Sequence, residues 1–92
     1  GIANNNYEKF FRIYPNPGNG VFSIVLDAGF KEADVVVFDI LGQKIWGPER
    51  INESESTGEI LVNLGNKPEG VYFVNVKSRD SLTGTTKYII KD

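Results

Sequence analysis

The segment Tyr14-Pro15-Asn16-Pro17-Gly18-Asn19-Gly20 restricts the fold of this chain more than any other stretch. Each proline fixes φ at about −65° and lacks an N–H, and the residue before a proline is biased toward extended backbone. The chain from Tyr14 to Pro17 is therefore predicted to be extended and non-helical. Gly18 and the pair Asn19-Gly20 tolerate positive φ, which a tight turn between antiparallel strands requires. The segment predicts a stiff arm that leads into a hairpin turn.

Apolar and polar residues alternate along most of the remaining chain, which is the period of a β-strand with one buried face. The predicted strands after the arm are residues 21–27, 33–41, 43–47, 59–64, 71–77 and 85–90. Segment 33–41 is the most continuously apolar, which indicates a strand that is central in its sheet or covered on both faces. Gly42 is predicted to break this strand, and Pro48 to end or bend the next one.

About seven short strands, with no segment of helical periodicity over three turns, predict an all-β fold. The expected architecture is an immunoglobulin-like, antiparallel β-sandwich of about seven strands. The polar run 52–58 is predicted to be a surface loop, and 79–84 a turn. Residues 1–7 have the composition of a linker tail, and residues 8–92 are predicted to form the single domain that a chain of this length permits.

Net charge and hydropathy limit the classes of partner that this domain is expected to bind. The formal net charge is −2 and the pI is about 5.1, with basic residues scattered along the chain, which argues against nucleic acid as a main partner. No apolar run reaches the roughly 20 residues needed to cross a bilayer. Because position 1 is not methionine, the chain is expected to be a piece of a longer product or a product expressed without its start. If the parent is secreted, its targeting signal is expected upstream.

The residue inventory argues against an enzyme. The chain has no histidine and no cysteine, which removes Ser-His and Cys-His nucleophile pairs and the usual zinc ligands. Carboxylates remain for glycosidase chemistry or for a calcium site near Glu53 and Glu55. We expect them to be solvated surface charges, and they are Asp27, Asp39, Glu49, Glu53, Glu55, Glu59 and Asp80. The sequence therefore predicts no catalytic residue, no metal and no cofactor.

Two further residues have both a structural and a functional interpretation. Asp39 lies beside the Gly42 turn, where a carboxylate is expected to accept hydrogen bonds from turn N–H groups. Trp46, with the tyrosines, offers an aromatic platform for sugar rings, although burial in the core is commoner in a small sandwich. The platform keeps open a carbohydrate-binding or adhesive accessory module as the alternative function.

Four sequence blocks, in a fixed order, suggest a family. They are Tyr14-Pro15-Asn16-Pro17 with Gly20, Val37-Phe38-Asp39-Ile40-Leu41-Gly42-Gln43-Lys44-Ile45, Gly70-Val71-Tyr72-Phe73-Val74-Asn75-Val76, and Thr86-Lys87-Tyr88-Ile89-Ile90. Together they resemble the type A C-terminal sorting domain of the type IX, or Por, secretion system. The resemblance covers about residues 12–92.

This resemblance implies a non-catalytic address on a larger secreted protein of a Gram-negative bacterium. The parent would fold in the periplasm, be recognised there by the outer-membrane translocon, and reach the cell surface or the medium. A sortase-like peptidase commonly removes such a domain, and cleavage is expected at or before residues 1–7, where an exposed chain can enter a protease site.

The resemblance also implies which residues carry recognition. The candidates are Pro15, Asn16, Pro17, Gly20, Asp39, Gly42, Gly70, Tyr72, Val74, Lys87, Tyr88, Ile89 and Ile90. The family often has two basic residues where this chain has Lys87 and Tyr88. Several candidates also have structural duties, since Gly42 and Gly70 permit turns and Tyr72 and Val74 are expected in the core.

Three functions follow for the domain. The preferred one is a secretion signal read through the last strand, whose free N–H and C=O groups would dock by β-augmentation. The second is the sugar-binding module, and the third is a spacer that holds a neighbouring catalytic domain. An uncovered edge strand would also permit a homodimer by strand pairing.

Overall fold

The chain folds into two antiparallel β-sheets. The computed structural model describes residues 10–27, 32–52, 59–79 and 82–91. In these ranges the strands are β1 (Phe11–Tyr14), β2 (Val21–Leu26), β3 (Glu32–Phe38), β4 (Lys44–Asn52), β5 (Glu59–Asn63), β6 (Gly70–Ser78) and β7 (Thr83–Ile90). One sheet has the order β1-β2-β5 and the other β4-β3-β6-β7. This arrangement confirms the predicted all-β sandwich. Among the described residues, no helix is long and apolar enough to span a membrane.

The strand order is that of an immunoglobulin-like sandwich with one strand exchanged. In constant-type immunoglobulin domains, the first, second and fifth strands share one sheet and the third, sixth and seventh the other. The same division holds here, but β4 pairs with β3 rather than with β5. The exchange makes β3 an inner strand, as its continuous apolar sequence predicted.

Alternating residues of both sheets fill one core between them. Phe22, Ile24 and Leu26 of β2 are buried, as are Tyr72, Val74 and Val76 of β6. Other buried members from the two sheets are Phe11, Val35, Val37, Ile51, Val62, Tyr88 and Ile90. The period of two along each strand places these residues on the inner faces, as predicted.

The strand predicted at 33–41 ends earlier than expected, at Phe38. Ile40 and Leu41 lie in the following turn, with 68% and 80% of their surfaces exposed. Asp39 causes this ending, because its Oδ1 accepts hydrogen bonds from the N–H groups of Leu41 and Gln43, both at 2.9 Å. The predicted turn-capping role of Asp39 is therefore confirmed, and the strand assignment of Ile40 and Leu41 is wrong.

The next strand, β4, is longer than predicted and continues through Pro48 to Asn52. Gly47, at φ +90°, lies where the pairing with β3 shifts register between Val35 and Val37. Pro48 therefore bends the strand at a bulge, where a missing N–H is tolerated. Of the predicted loop 52–58, Asn52 belongs to β4, and 53–58 lie outside the described residues, as does the predicted tail 1–7.

The last strand also begins earlier than predicted. Gly84, expected in the turn 79–84, belongs to β7 and is buried. It pairs with Val76 of β6, so the pairing overrides the turn preference of glycine. The remaining part of that predicted turn includes residues 80–81, which lie outside the described ranges.

Because Gly47 lies at the bulge, the position has no room for a side chain. A Cβ at Gly47 would lie 2.4 Å from the Val35 carbonyl oxygen, whereas one at Gly42, also at positive φ, would meet nothing within 4 Å. An alanine at either position would strain the backbone, because both glycines have positive φ. Only an alanine at position 47 would also clash with the neighbouring strand. We expect Gly47→Ala to lower the free energy of unfolding by about 1–3 kcal/mol more than Gly42→Ala does, measured by urea denaturation. Equal losses would contradict the assigned bulge.

Candidate functional site

The antiparallel pairing gathers the candidate residues at one end of the sandwich. Gly70, which begins β6, pairs with Ile90 at the end of β7, and Phe38, which ends β3, pairs with Lys44 at the start of β4. The Gly18 N–H donates to the Ile89 carbonyl at 2.9 Å, which brings the loop between β1 and β2 of the other sheet to the same place. We call this region the motif end; it comprises loops 15–20, 39–43 and 64–69 together with Lys91. Blocks that are distant in sequence therefore meet there.

Asn16 attaches the Pro-Asn-Pro loop to the outer edge of β7. Its Nδ2 donates to the Lys87 carbonyl at 2.7 Å, and its Oδ1 accepts from the Ile89 N–H at 3.1 Å. One side-chain carboxamide thus supplies the donor and the acceptor that a neighbouring strand would otherwise provide.

Gly18 continues this pairing with its own backbone. The Gly18 N–H donates to the Ile89 carbonyl at 2.9 Å, and the Lys91 N–H donates to the Gly18 carbonyl at 2.8 Å. A parallel bridge between Gly18 and Ile90 results. The outer edge of β7 is therefore covered from Lys87 to Lys91. The expectation of free N–H and C=O groups is wrong for this part of β7, because the proline loop already pairs with them. A homodimer through an edge strand stays a prediction.

Tyr88 connects the same loop to the core. Its hydroxyl oxygen accepts a hydrogen bond from the buried N–H of Gly20 at 2.9 Å. Its buried ring packs against Phe22 of the other sheet, with ring centroids 4.3 Å apart. A Cβ on Gly18 would lie only 2.5 Å from the Tyr88 hydroxyl oxygen, so the close approach of the loop requires glycine. Tyr88, at the position where the family often has a basic residue, is a core residue here.

A second tyrosine supports the 64–69 loop. The Tyr72 hydroxyl donates to the Pro68 carbonyl at 2.6 Å. Burial, with a further contribution from the Asp39 charge, raises the pKa of Tyr72 above its ordinary value. The hydroxyl therefore stays protonated, and it remains the donor in this hydrogen bond.

The thirteen candidates divide by exposure. The exposed ones are Pro15, Asn16, Pro17, Gly42 and Lys87, the half-buried ones Asp39, Gly70 and Ile89, and the buried ones Gly20, Tyr72, Val74, Tyr88 and Ile90. A partner can touch the first group directly, whereas the last group acts through the fold. Which of them the partner contacts remains a prediction.

Sequence reasoning missed two features of this region. Gly18 was treated only as a turn former, although its backbone pairs with β7; the signal was its position directly after the second proline. The exposed pair Ile40 and Leu41 was assigned to a strand, although Asp39 and Gly42 on either side are the residues of a tight turn.

The sugar-binding platform and the metal site, which the sequence left as alternatives, have less support from the geometry. Trp46 is half-buried and packs against the core, so only part of its ring is open to a sugar. No cluster of three or more acidic side chains that could hold a metal is found among the described residues. Glu53, Glu55 and Asp80, three of the predicted surface carboxylates, lie outside them.

A charged hollow lies at the opposite end of the four-stranded sheet. Its volume is about 360 Å³, and Glu32, Asp34, Arg50 and Arg79 are among the residues that line it. Arg50 Nε lies 3.0 Å from Asp34 Oδ1, and Arg79 Nη1 lies 3.5 Å from Glu32 Oε2. The hydrogen bond with Asp34 raises the pKa of Arg50 above its ordinary value. These charges compensate one another, and the hollow shows no nucleophile and base in contact.

Removing the Tyr88 hydroxyl tests the link between loop and core. Tyr88→Phe keeps the ring against Phe22 but leaves the buried Gly20 N–H unpaired. We expect a loss of about 1–3 kcal/mol in the free energy of unfolding, measured by urea denaturation. Tyr14→Phe is the matched control, since Tyr14 is 51% exposed and its hydroxyl donates only to Glu59 on the surface. Equal effects of the two variants would refute the anchoring role.

Removing the Asn16 carboxamide tests the covering of β7. Asn16→Ala removes the acceptor of the Ile89 N–H, so amide hydrogen exchange at Ile89 should accelerate by about tenfold or less, as expected from a hydrogen bond worth about 1 kcal/mol. Asn19→Ala is the control in the same loop, because the Asn19 side chain accepts only from the nearby Val21 N–H. Unchanged protection of Ile89 in Asn16→Ala would show that the contact does not hold the edge.

Comparison with known proteins agrees with this geometry. A search of curated proteins found no match to the chain. The family model described as "Secretion system C-terminal sorting domain" matches residues 12–91, a range that includes the proline loop, the Asp39 turn and all of β7. The match extends over nearly the whole chain, and the chain therefore belongs to the family of type IX, or Por, secretion system C-terminal sorting domains.

Proposed function

We propose that this domain is the address that carries an attached cargo protein from the periplasm across the outer membrane. The outer-membrane translocon of the type IX system recognises the folded domain, and a sortase-like peptidase then removes it. The observation that carries this proposal is that the proline loop and the Asp39 turn, from the first two family blocks, lie at the motif end, next to the start of β6 and the end of β7 in the other two blocks. A linear tail would need no such convergence, so the signal is a folded surface.

The direction of the chain supports this arrangement. The Phe10 carbonyl accepts a hydrogen bond from the Asp27 N–H at 2.8 Å, which places Phe10 at the end of the sandwich opposite the motif end. A cargo joined upstream therefore connects to the described part of the domain at the end away from the motif end. Cleavage within or before residues 1–7 would release that cargo.

Truncation of the last residues is a poor test of this proposal. Tyr88 and Ile90 are buried, and Ile89 and Lys91 hold the proline loop. Deletion would therefore damage the core as well as any signal. A loss of export in such a truncation would not distinguish the two causes.

The direct test fuses residues 1–92 to the C-terminus of a fluorescent reporter that is targeted to the periplasm. In a host with a working type IX system, we expect the fusion in the culture medium or at the cell surface, and the reporter alone in the periplasm. Disabling the translocon should return the fusion to the periplasm, and fractionation followed by fluorescence measures all three cases. A folded, stable fusion that stays in the periplasm of the working host would overturn the proposal.

The alternative, a carbohydrate-binding or adhesive module, would depend on the open part of the Trp46 ring. It predicts that added glycans change the Trp46 fluorescence at millimolar concentration. A spacer role predicts instead that an unrelated β-sandwich in place of residues 8–92 exports the reporter equally well. A change in Trp46 fluorescence, together with retention of the original fusion in the periplasm, would favour the carbohydrate-binding module. Equal export of the original fusion and of the replaced one would favour the spacer.

A further inference from the structure

The outward face of the four-stranded sheet is apolar next to the motif end. Outward positions alternate with the buried ones, and in this half of β3, β6 and β7 they are half-buried, except for the exposed Lys87. We call this group the apolar face, and its members are Val36, Phe38, Val71, Phe73 and Ile89. Antiparallel sheets usually present polar residues on the side that faces solvent. The described strands form only two layers, so no third layer of strands covers this face.

The pairing register makes the apolar face continuous. Phe38 of β3 aligns with Phe73 of β6, and Val71 of β6 aligns with Ile89 of β7. Side chains directly opposite on paired strands are about 4.5–5.5 Å apart at Cβ. The members therefore form one strip across three strands rather than scattered apolar positions, and strips of this kind mark interaction sites.

The other half of the same face is polar. Asp34 aligns with Lys77, and Arg50 contacts both Asp34 and Glu32. Asn75 and Thr85, which hydrogen-bond to each other at 2.9 Å, lie between the two halves. The sheet therefore presents an ion-paired half toward the opposite end and an apolar half toward the motif end.

Charge at the border of the apolar face restricts its occupant. Lys44 aligns with Phe38 on one side of the strip, and Lys87 aligns with Phe73 on the other. The outward positions of β3, β6 and β7 in this half carry no carboxylate. A complementary surface is therefore apolar in the middle and carries carboxylates at its border. A second copy of the chain, packed face to face, would instead bring lysines toward lysines.

We propose that the apolar face docks on a folded protein of the secretion machinery, through a surface with an apolar centre and an acidic border. This inference rests on the proposed function and assigns its contact surface. The outer edge of β7 is covered from Lys87 to Lys91, so docking by face rather than by edge leaves the proline loop in place.

The test compares two variants of the reporter fusion. Each variant has one outward residue changed, in the four-stranded sheet or in the three-stranded sheet. Phe73→Glu places a charge in the middle of the apolar face. Leu61→Glu is the matched control, since Leu61 is 64% exposed on β5 of the other sheet. We expect Phe73→Glu to lower export at least about tenfold, as for a central interface residue, and Leu61→Glu to lower it less than about twofold. Phe73→Thr, which introduces a β-branched residue of high strand propensity, should also reduce export, and thermal unfolding of each variant reports its fold.

The lysines give an independent comparison. The double variant Lys44→Glu with Lys87→Glu reverses the charge at the border, and Lys77→Glu makes the same change in the polar half. Reduced export of the double variant, with normal export of Lys77→Glu, supports the acidic border of the partner. Equal export of both lysine variants and of Phe73→Glu, with the unchanged fusion exported, overturns the inference but leaves the proposed function intact.

A photo-crosslinking residue at position 73 or at position 61 separates failure of docking from failure of export. We expect an adduct between position 73 and a component of the secretion machinery, identified by mass spectrometry, and none from position 61. This adduct supports the apolar face even if the unchanged fusion stays in the periplasm, a result that would refute only the proposed function. No adduct from position 73, or an adduct with a second copy of the fusion, overturns the inference.

Discussion

The contact between Tyr88 and the proline loop is the interaction on which the rest of the structure depends. The Tyr88 ring lies in the core against Phe22 of the other sheet. Its hydroxyl oxygen accepts a hydrogen bond from the Gly20 N–H. One side chain therefore joins the last strand, the loop between the first two strands and the core between the sheets. Because buried hydrogen bonds are costly to leave unmade, this contact determines where the loop can lie.

The loop in turn decides what the last strand can do. An exposed strand edge pairs readily with other chains, and natural proteins cover or interrupt such edges. Here Asn16 and Gly18 satisfy the outward backbone groups of β7 from Lys87 to Lys91. This part of the strand edge is thereby kept from pairing with other chains. The proposal above therefore assigns recognition to the folded surface and not to a free strand edge.

The two faces of the four-stranded sheet serve different purposes. Val35, Val37 and Val74 point inward and build the core, while the neighbouring outward residues near the motif end are also apolar. Apolar residues on both faces explain why β3 reads as one continuous hydrophobic run. Core packing accounts for the inward set alone, whereas the outward set, bordered by Lys44 and Lys87, is the face that we propose a partner covers.

Alternation and turn residues were enough, from the sequence alone, to predict the all-β sandwich and the Asp39 turn, because these depend on local backbone preference and on burial of apolar surface. The four blocks likewise indicated the family. Only the tertiary structure decided that the proline loop covers β7, that Tyr88 anchors it, that Gly47 carries a bulge and that Ile40 and Leu41 are exposed. These features arise from contacts such as Asn16 with Ile89, between residues far apart in sequence, and no local preference specifies such contacts.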